Sequence, residues 1–192
     1  MTATNRALII GGIAAAAVAL AWLLFVALPR RAARSNAPSA AAAPTQAPAG
    51  SGRKIKARLF YVAQDGIHLT HVERDVPYGE GTLEQAREIV AAQMAPVSQP
   101  LLSAIPAGTT VRALFLSEAG DAYVDFSREI VSGHTGGTGD ELLTIYTIVH
   151  ALTENLPAVT GVQVLVDGKE VDTLAGHVDL RNPLGKNLAL VQ

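Results

Sequence analysis

The sequence of 192 residues contains no cysteine. This absence excludes a disulfide framework, a cysteine nucleophile, a thiolate metal site and a lipid-modified cysteine. An excess of charge of one sign is also lacking, because 15 basic residues nearly balance 17 acidic ones. Such a chain has no overall field that would attract nucleic acid, so we expect no nucleic-acid partner.

A long apolar run lies near the N-terminus. After a short tail (residues 1–6), residues 7–28 contain no charged side chain. As a helix with a rise of about 1.5 Å per residue, this segment would extend about 33 Å, enough to cross a hydrocarbon core of about 30 Å. A cleaved signal peptide is the alternative, but its apolar region is typically about 7 to 15 residues long. We therefore expect an uncleaved transmembrane anchor.

The following segment, residues 29–53, is rich in alanine, proline, serine and glycine and contains no aromatic residue. Such a composition cannot bury enough apolar area to offset its ordering entropy, which predicts a disordered linker. Two observations on orientation disagree. Arg30, Arg31 and Arg34 favour the cytoplasmic side by the positive-inside rule, whereas an extended tether of up to about 75 Å suits a domain held in the cell envelope.

From residue 54 the composition becomes globular, and residues 54–192 are predicted to form one domain. Two β-rich runs flank Asp65-Gly66, a dipeptide typical of hairpin turns. A second hairpin is predicted around residues 119–121, and a third turn at Asp167-Gly168.

Two helices are predicted between these strands. In the first, Thr82 is placed to cap the N-terminus, with Gln85 three residues later; the apolar stripe comprises Leu83, Ala86, Val90 and Met94. The second follows a glycine-rich loop and ends before Pro157, and its predicted buried face comprises Leu142, Ile145, Val149, Leu152 and Leu156. The resulting order, β-β-α-β-β-α-β-β, predicts an α+β domain with helices packed on one face of a sheet.

The glycine-rich loop before the second helix resembles a phosphate-binding loop in composition, but it lacks the residue spacing of the known phosphate-binding motifs. A Walker loop needs Gly-Lys where this chain has Thr138 and Gly139, and the dinucleotide pattern fails at Leu142. Asp140 and Glu141 already complement the positive end of the helix and would repel a second anion. Thr138 and Glu141 have the spacing of a capping box, so we expect a helix cap here.

No set of residues in the sequence predicts catalysis or metal binding. His68 and His71 are three apart on a strand and point to opposite faces, so they cannot chelate one metal ion. Ser132 and His134 are residue types of a serine hydrolase, but they lack the pattern of a nucleophile elbow. We therefore expect no catalytic residue, no metal and no cofactor.

The C-terminal part of the chain combines three motifs: a glycine-rich turn leading into a glutamate at the start of a long apolar helix, a strand that ends in an Asp-Gly turn, and a T-L-x-G-H-x-D-L-like segment followed by a proline. The residues that carry them are Gly136, Gly137, Thr138, Glu141, Gly168, Gly176, His177, Asp179 and Pro183. In this combination, over roughly residues 55–185, the sequence resembles the GerMN domain family of sporulation and spore-germination proteins.

The resemblance implies a single domain with two helices packed on a small, mostly antiparallel sheet, related to the ring-building motifs of secretion and sporulation machines. Members usually lie outside the cytoplasmic membrane, often on a lipidated cysteine, in whose place this chain has its apolar N-terminal segment. Together with the long linker, this favours a single-pass protein of the cytoplasmic membrane with its globular domain outside the cytoplasm.

In function, the resemblance implies a non-enzymatic assembly or scaffolding domain whose partners are other envelope proteins or further copies of itself. The alternative is a module that binds peptidoglycan or a small ligand and assists a hydrolase. Within the motif, we expect a ring nitrogen of His177 to hydrogen-bond and fix the C-terminal segment, and Gly176 to adopt a backbone turn closed to other residues.

Overall fold

The computed structural model describes residues 52–134 and 136–192. The predicted tail, the anchor at residues 7–28 and the predicted linker up to residue 51 lie outside the described residues. Over the part that is described, no helix has both the length and the apolar character needed to cross a membrane.

The first sheet is a hairpin of two long strands. Strand β1 (Lys54–Val62) pairs antiparallel with β2 (Leu69–Pro77). The turn between them contains Asp65, whose carboxylate accepts the backbone N–H groups of Ile67 and His68, and Gly66, which has a φ of 74°. The hairpin predicted at Asp65-Gly66 is therefore confirmed, because the residues of this turn satisfy its geometry locally.

Helix α1 spans Gly81–Met94, but it does not begin as predicted. Its N-cap residue is Glu80, and no side chain caps it. Gln85 instead accepts the N–H of Gly79 at 3.0 Å and donates to the carbonyl of Pro77 at 3.1 Å, which fixes the connection from β2. The predicted cap by Thr82 is wrong, since Thr82 already lies inside the helix.

The second sheet has four strands in the order β3-β4-β5-β6. Strands β3 (Val111–Leu116) and β4 (Asp121–Phe126) form the second predicted hairpin, and β5 (Gly161–Val166) pairs parallel with β4. Strand β6 has only two residues, Lys169–Glu170. The parallel pair requires a crossover, and the chain makes it through two helices.

These helices are α2 (Glu129–Ser132) and α3 (Thr138–Asn155). The α+β class is confirmed, but the expected single sheet with two helices is wrong in detail: the described residues form two separate sheets and three α-helices. The pattern of the sequence predicted the strands but not their division between sheets, because pairing between distant strands leaves no local signal.

Helix α3 is buried around most of its circumference. Ile145, Val149, Leu152 and Leu156 are buried as predicted, whereas Leu142 is only half-buried and its neighbours Leu143 and Thr144 are buried. A helix enclosed on several sides must contact more than one layer of the domain. It packs against β1, β5 and α1, and so joins the two sheets into one core.

The C-terminal segment, residues 171–192, contacts both sheets. Leu184 forms a bridge with Val162 of β5. Val191 forms a bridge with Leu69 of β2, whose carbonyl also accepts the N–H of Gln192. A short 3-10 turn, Leu188–Leu190, lies between these two attachments.

Candidate functional site

Glu141 connects the start of α3 to the C-terminal segment. Its side chain is fully buried. One carboxylate oxygen accepts the backbone N–H groups of Leu174 and Ala175 at 2.8 and 3.0 Å, and the other accepts that of His177 at 2.8 Å. A single side chain thus holds a segment that lies more than thirty positions later in the chain.

These bonds decide the charge of Glu141. Burial raises the pKa of a carboxyl group, but the backbone N–H groups of Ala175, His177, Leu174 and Val178 outweigh burial and lower the pKa of Glu141 below its usual value. The group is a carboxylate whose acceptor positions are occupied by the protein itself. This arrangement suits a structural anchor and leaves no position for a substrate.

The predicted capping box is therefore wrong. The N-cap residue of α3 is Gly137, no side chain caps the helix, and Thr138 is its first, exposed residue. Glu141 does not reach back to its own helix, because three N–H groups of the C-terminal segment offer its charge more bonds than one backbone N–H could. Thr138 has no comparable contact among the described residues.

The glycine-rich loop is organised by a histidine. Gly136 and Gly137 both have positive φ angles, 87° and 95°, which glycine adopts without strain. The N–H of Gly136 donates to Nδ1 of His134 at 3.0 Å, so Nδ1 carries no proton. The other nitrogen, Nε2, lies 3.4 Å from Oγ1 of Thr144, whose hydroxyl donates to the carbonyl of Ala104. Both ring nitrogens of His134 are occupied by these contacts.

The prediction that a ring nitrogen of His177 fixes the C-terminal segment is wrong. The side chain of His177 is exposed, and its backbone N–H makes the contact with Glu141. Gly176 beside it has a φ of 95°, so the predicted need for glycine is confirmed. The sequence pointed to the right position, but the backbone makes the bond.

The remaining motif residues lie elsewhere. Gly168 is in the β5–β6 turn and donates its N–H to Asp125 at 2.7 Å. Asp179 pairs with Arg181 at the surface. Pro183 lies so close to Gly161 that an added Cβ there would come within 3.1 Å of it. The motif thus divides into a cluster around Glu141 and separate turns, and its residues do not converge on one pocket.

Two of the four outer strand edges of the described sheets, those of β1 and β2, are protected. On β1, Asn155 bonds both the N–H and the carbonyl of Arg58, and the buried side chain of Gln93 does the same for Phe60. Beyond these, the N–H of Val62 donates to Leu102. On β2, exposed acidic residues Glu73 and Asp75 lie at the edge, where charge discourages pairing with another strand.

The edge of β3 has no side chain that substitutes for a neighbouring strand among the described residues, and its charged residue, Arg112, is paired with Asp167. The N–H of Ser117 donates to Asp121, so alternate residues face β4 and the backbone groups of Leu114 and Leu116 face outward. Among the described residues nothing pairs with these groups. Phe115 on this strand is 57% exposed.

A groove of about 570 Å³ runs beside this edge, between β3 and α1. Its α1 wall is formed by Arg87, Val90, Ala91 and Met94, and its other wall by residues 109–115. The sequence does not reveal this groove, because the groove forms where α1 and a strand distant in sequence meet. The exposed apolar residues of the VRALFL run were the only local signal.

A second cleft, of about 590 Å³, opens beside the glycine-rich loop. Its apolar lining includes Val62, Val97, Leu101, Leu102, Ile105 and Leu143, and its polar lining includes His134, Asp140 and Thr144. His134 faces this cleft while its ring nitrogens contact Gly136 and Thr144.

No metal centre is found in the part of the chain that the structure describes, where no cluster of three His, Asp or Glu side chains could hold an ion. Ser132 and His134 do not hydrogen-bond to each other there, since the His134 ring is turned toward Gly136 and Thr144.

Comparison with known proteins shows a family match in sequence and a similar fold in solved structures. Residues 58–172 match the family described as "Germane: Sporulation and spore germination". The structure is similar to the tandem GerMN domains of the sporulation protein GerM from Bacillus subtilis, with 21% identity, a TM-score of 0.55, and coverage of 69% of this chain and 46% of that one. The match thus spans about half of the tandem structure.

The first GerMN domain of the same protein matches alone, with 20% identity, a TM-score of 0.53, and coverage of 69% of this chain and 98% of that one. No curated protein matches the sequence. The expected resemblance to the GerMN domain family is confirmed over residues 58–172, and the chain belongs to the Germane family of sporulation and spore-germination domains.

Proposed function

We propose that this chain is a non-enzymatic assembly module of the cell envelope, anchored in the cytoplasmic membrane by residues 7–28, with its globular domain outside the cytoplasm. The observation that carries the proposal is the open edge of β3. An unpaired strand edge with an apolar sequence is a template for pairing with another chain, and soluble proteins normally protect it. This domain protects β1 and β2 but leaves β3 open.

The groove beside β3 supports the same function. An extended segment that adds to β3 would form main-chain bonds with Leu114 and Leu116 and would place alternate side chains against Val90, Ala91 and Met94. Phe115 would lose its exposure to water in the same step. Strand addition would therefore pair the outward backbone groups of Leu114 and Leu116, fill the groove and cover Phe115.

The test is amine-reactive crosslinking of the full chain in intact membranes. We expect the wild type to form products larger than its own 20.0 kDa. Phe115→Glu should reduce these products at least about fivefold, because a charge at a strand edge opposes pairing. Leu188→Glu is the matched control, since Leu188 is also exposed, at 71%, and lies on the 3-10 turn. Equal products from both variants would contradict the use of the β3 edge.

The location is tested by a fusion of alkaline phosphatase to the C-terminus. The enzyme should be active, because it matures only outside the cytoplasm. A cytoplasmic fluorescent reporter at the same junction should then be dark. A bright reporter with an inactive phosphatase would place the domain in the cytoplasm and contradict the proposal.

A second function, binding of peptidoglycan or a small ligand in support of a hydrolase, is favoured by the cleft beside the glycine-rich loop. Leu102, which is 63% exposed, lies on its rim. If the cleft binds cell wall, sedimentation with purified sacculi should decrease in Leu102→Glu and not in Leu188→Glu. Wild-type protein that stays in the supernatant would exclude this function.

A further inference from the structure

The open edge of β3 also indicates which partner it takes. We propose that a second copy of this chain adds to it, with the two β3 strands antiparallel about a two-fold axis close to Leu114. The inference rests on the proposed function, because it names the partner of the same edge. Charge, pairing geometry and the size of the contact carry it.

The edge strand presents no repulsion to a copy of itself. Its one charged residue, Arg112, is turned back over its own sheet: Nη1 bonds Asp167 at 2.6 Å, and Nε lies 3.6 Å from Asp125. The guanidinium is thus neutralised within its own domain. Two β3 strands can therefore meet without bringing unpaired like charges together.

Antiparallel self-pairing satisfies both copies at once. With Leu114 opposite Leu114 of the second copy, the outward N–H and carbonyl groups of the two Leu114 residues meet. The register shift of β3 lies outside this pair, between Val111 and Ala113. Because the same surface is used on both sides, the contact closes as a dimer and leaves neither β3 edge open. A free peptide would also cover the edge, but the two charged residues of this surface, Arg87 and Arg112, are already paired with Glu84 and Asp167 and so offer little to select one.

The chain's own N-terminal residues are poor candidates for the groove. Residues 35–51 consist mainly of alanine, proline, serine and glycine. Alanine and glycine have low strand propensity, and proline cannot donate a main-chain hydrogen bond to a neighbouring strand. The sequence of β3 itself, VRALFL, is far better suited to a strand pair.

The small area buried between two β3 strands bears on whether the dimer forms in solution or on a membrane. A pair of six-residue strands with their groove side chains buries less than the about 800 Å² per partner of a stable complex. Such a pair is weak in dilute solution. In the proposed function, anchoring of both copies in one membrane would raise their effective concentration.

The test uses the absence of cysteine. Phe115→Cys is introduced into the full chain, and membranes are treated with a short bismaleimide. In the proposed pair the two positions 115 are diagonal neighbours about 7–8 Å apart. We expect a product of twice the chain mass, at least about fivefold more abundant than with Leu188→Cys. It should not form when the membranes are dissolved and diluted in detergent before the bismaleimide is added.

The outcomes separate this inference from the proposed function. A crosslinked product of a different mass at position 115 would show that another protein occupies the edge, which overturns the second copy and leaves the assembly function intact. Equal dimer yields from Phe115→Cys and Leu188→Cys would overturn the self-pairing as well. If the amine-reactive products of the wild type also failed to appear, both proposals would be wrong.

Discussion

At the scale of single residues, Glu141 has the largest structural role in the family motif. Its carboxylate is the common acceptor for the backbone of Leu174, Ala175 and His177. Removing it leaves three N–H groups without a charged partner, and each such loss costs about 1–3 kcal/mol. We expect Glu141→Ala to lower the free energy of unfolding by about 3–5 kcal/mol, measured by urea denaturation of the full chain.

Thr138→Ala is the matched control for this prediction, because a capping box would require both residues. The structure gives Thr138 an exposed position without a capping bond, so the change should stay within about 0.5 kcal/mol. A loss of about 1 kcal/mol or more in Thr138→Ala, with a similar loss in Glu141→Ala, would restore the capping interpretation.

His150 makes the stability of the domain depend on pH. Its ring is fully buried; Nε2 contacts the carbonyl of Asn187 at 3.1 Å, and Nδ1 has no hydrogen-bond partner among the described residues. Burial lowers the pKa of His150 below 6.5, against the opposing effects of the Asn187 carbonyl and Glu154. The folded state therefore keeps the ring neutral, while the unfolded chain takes up a proton below about pH 6.5.

Stability from this group is thus complete above pH 6.5 and is lost as the pH falls below it. We expect the wild-type free energy of unfolding to decline between pH 6.5 and 5, with a slope of up to about 1.4 kcal/mol per pH unit from this one proton. His150→Gln should reduce the slope. A slope in His150→Gln equal to that of the wild type would contradict this expectation.

At the scale of elements, side chains of α1 and α3 make the backbone hydrogen bonds that a neighbouring strand would make to the outer edge of β1. Gln93 of α1 is fully buried and bonds the N–H and carbonyl of Phe60, each at 2.7 Å. Gln93→Leu keeps the bulk but leaves two buried main-chain groups unpaired, so we expect a loss of about 2–5 kcal/mol in urea denaturation. Asn155→Ala, at a half-buried position, should cost less; the reverse order would show that β1 does not depend on α1.

The elements also show what the sequence could predict. Local signals sufficed for the turn at Asp65-Gly66, for both long helices and for the need for glycine at position 176. They did not suffice for Glu141, whose partners lie 33 to 36 positions away, or for Gln93, 33 positions from Phe60. The sequence does not show whether a polar side chain bonds within its own helix or to a distant segment. The capping box was predicted for Glu141 for that reason, and the prediction was wrong.

At the scale of the whole domain, the two sheets are joined by the C-terminal segment and α3, whereas the backbone edge of β3 is unpaired among the described residues. The C-terminal segment fastens the two sheets through Val162 and Leu69, and α3 fills the space between them. The edge of β3 and the groove beside α1 lie outside this network. A domain with a rigid core and one unpaired apolar edge is suited to join other chains without changing its own fold.

Backbone amide exchange at Leu114 and Leu116 tests this claim most directly, because an open edge and a paired edge differ at these two N–H groups. The full chain would be placed in lipid vesicles at high and at low protein density. The account predicts that both amides exchange at least about tenfold more slowly at high density, while those of β4 remain unchanged. Equal exchange of Leu114 and Leu116 at both densities would contradict an assembly function for the β3 edge.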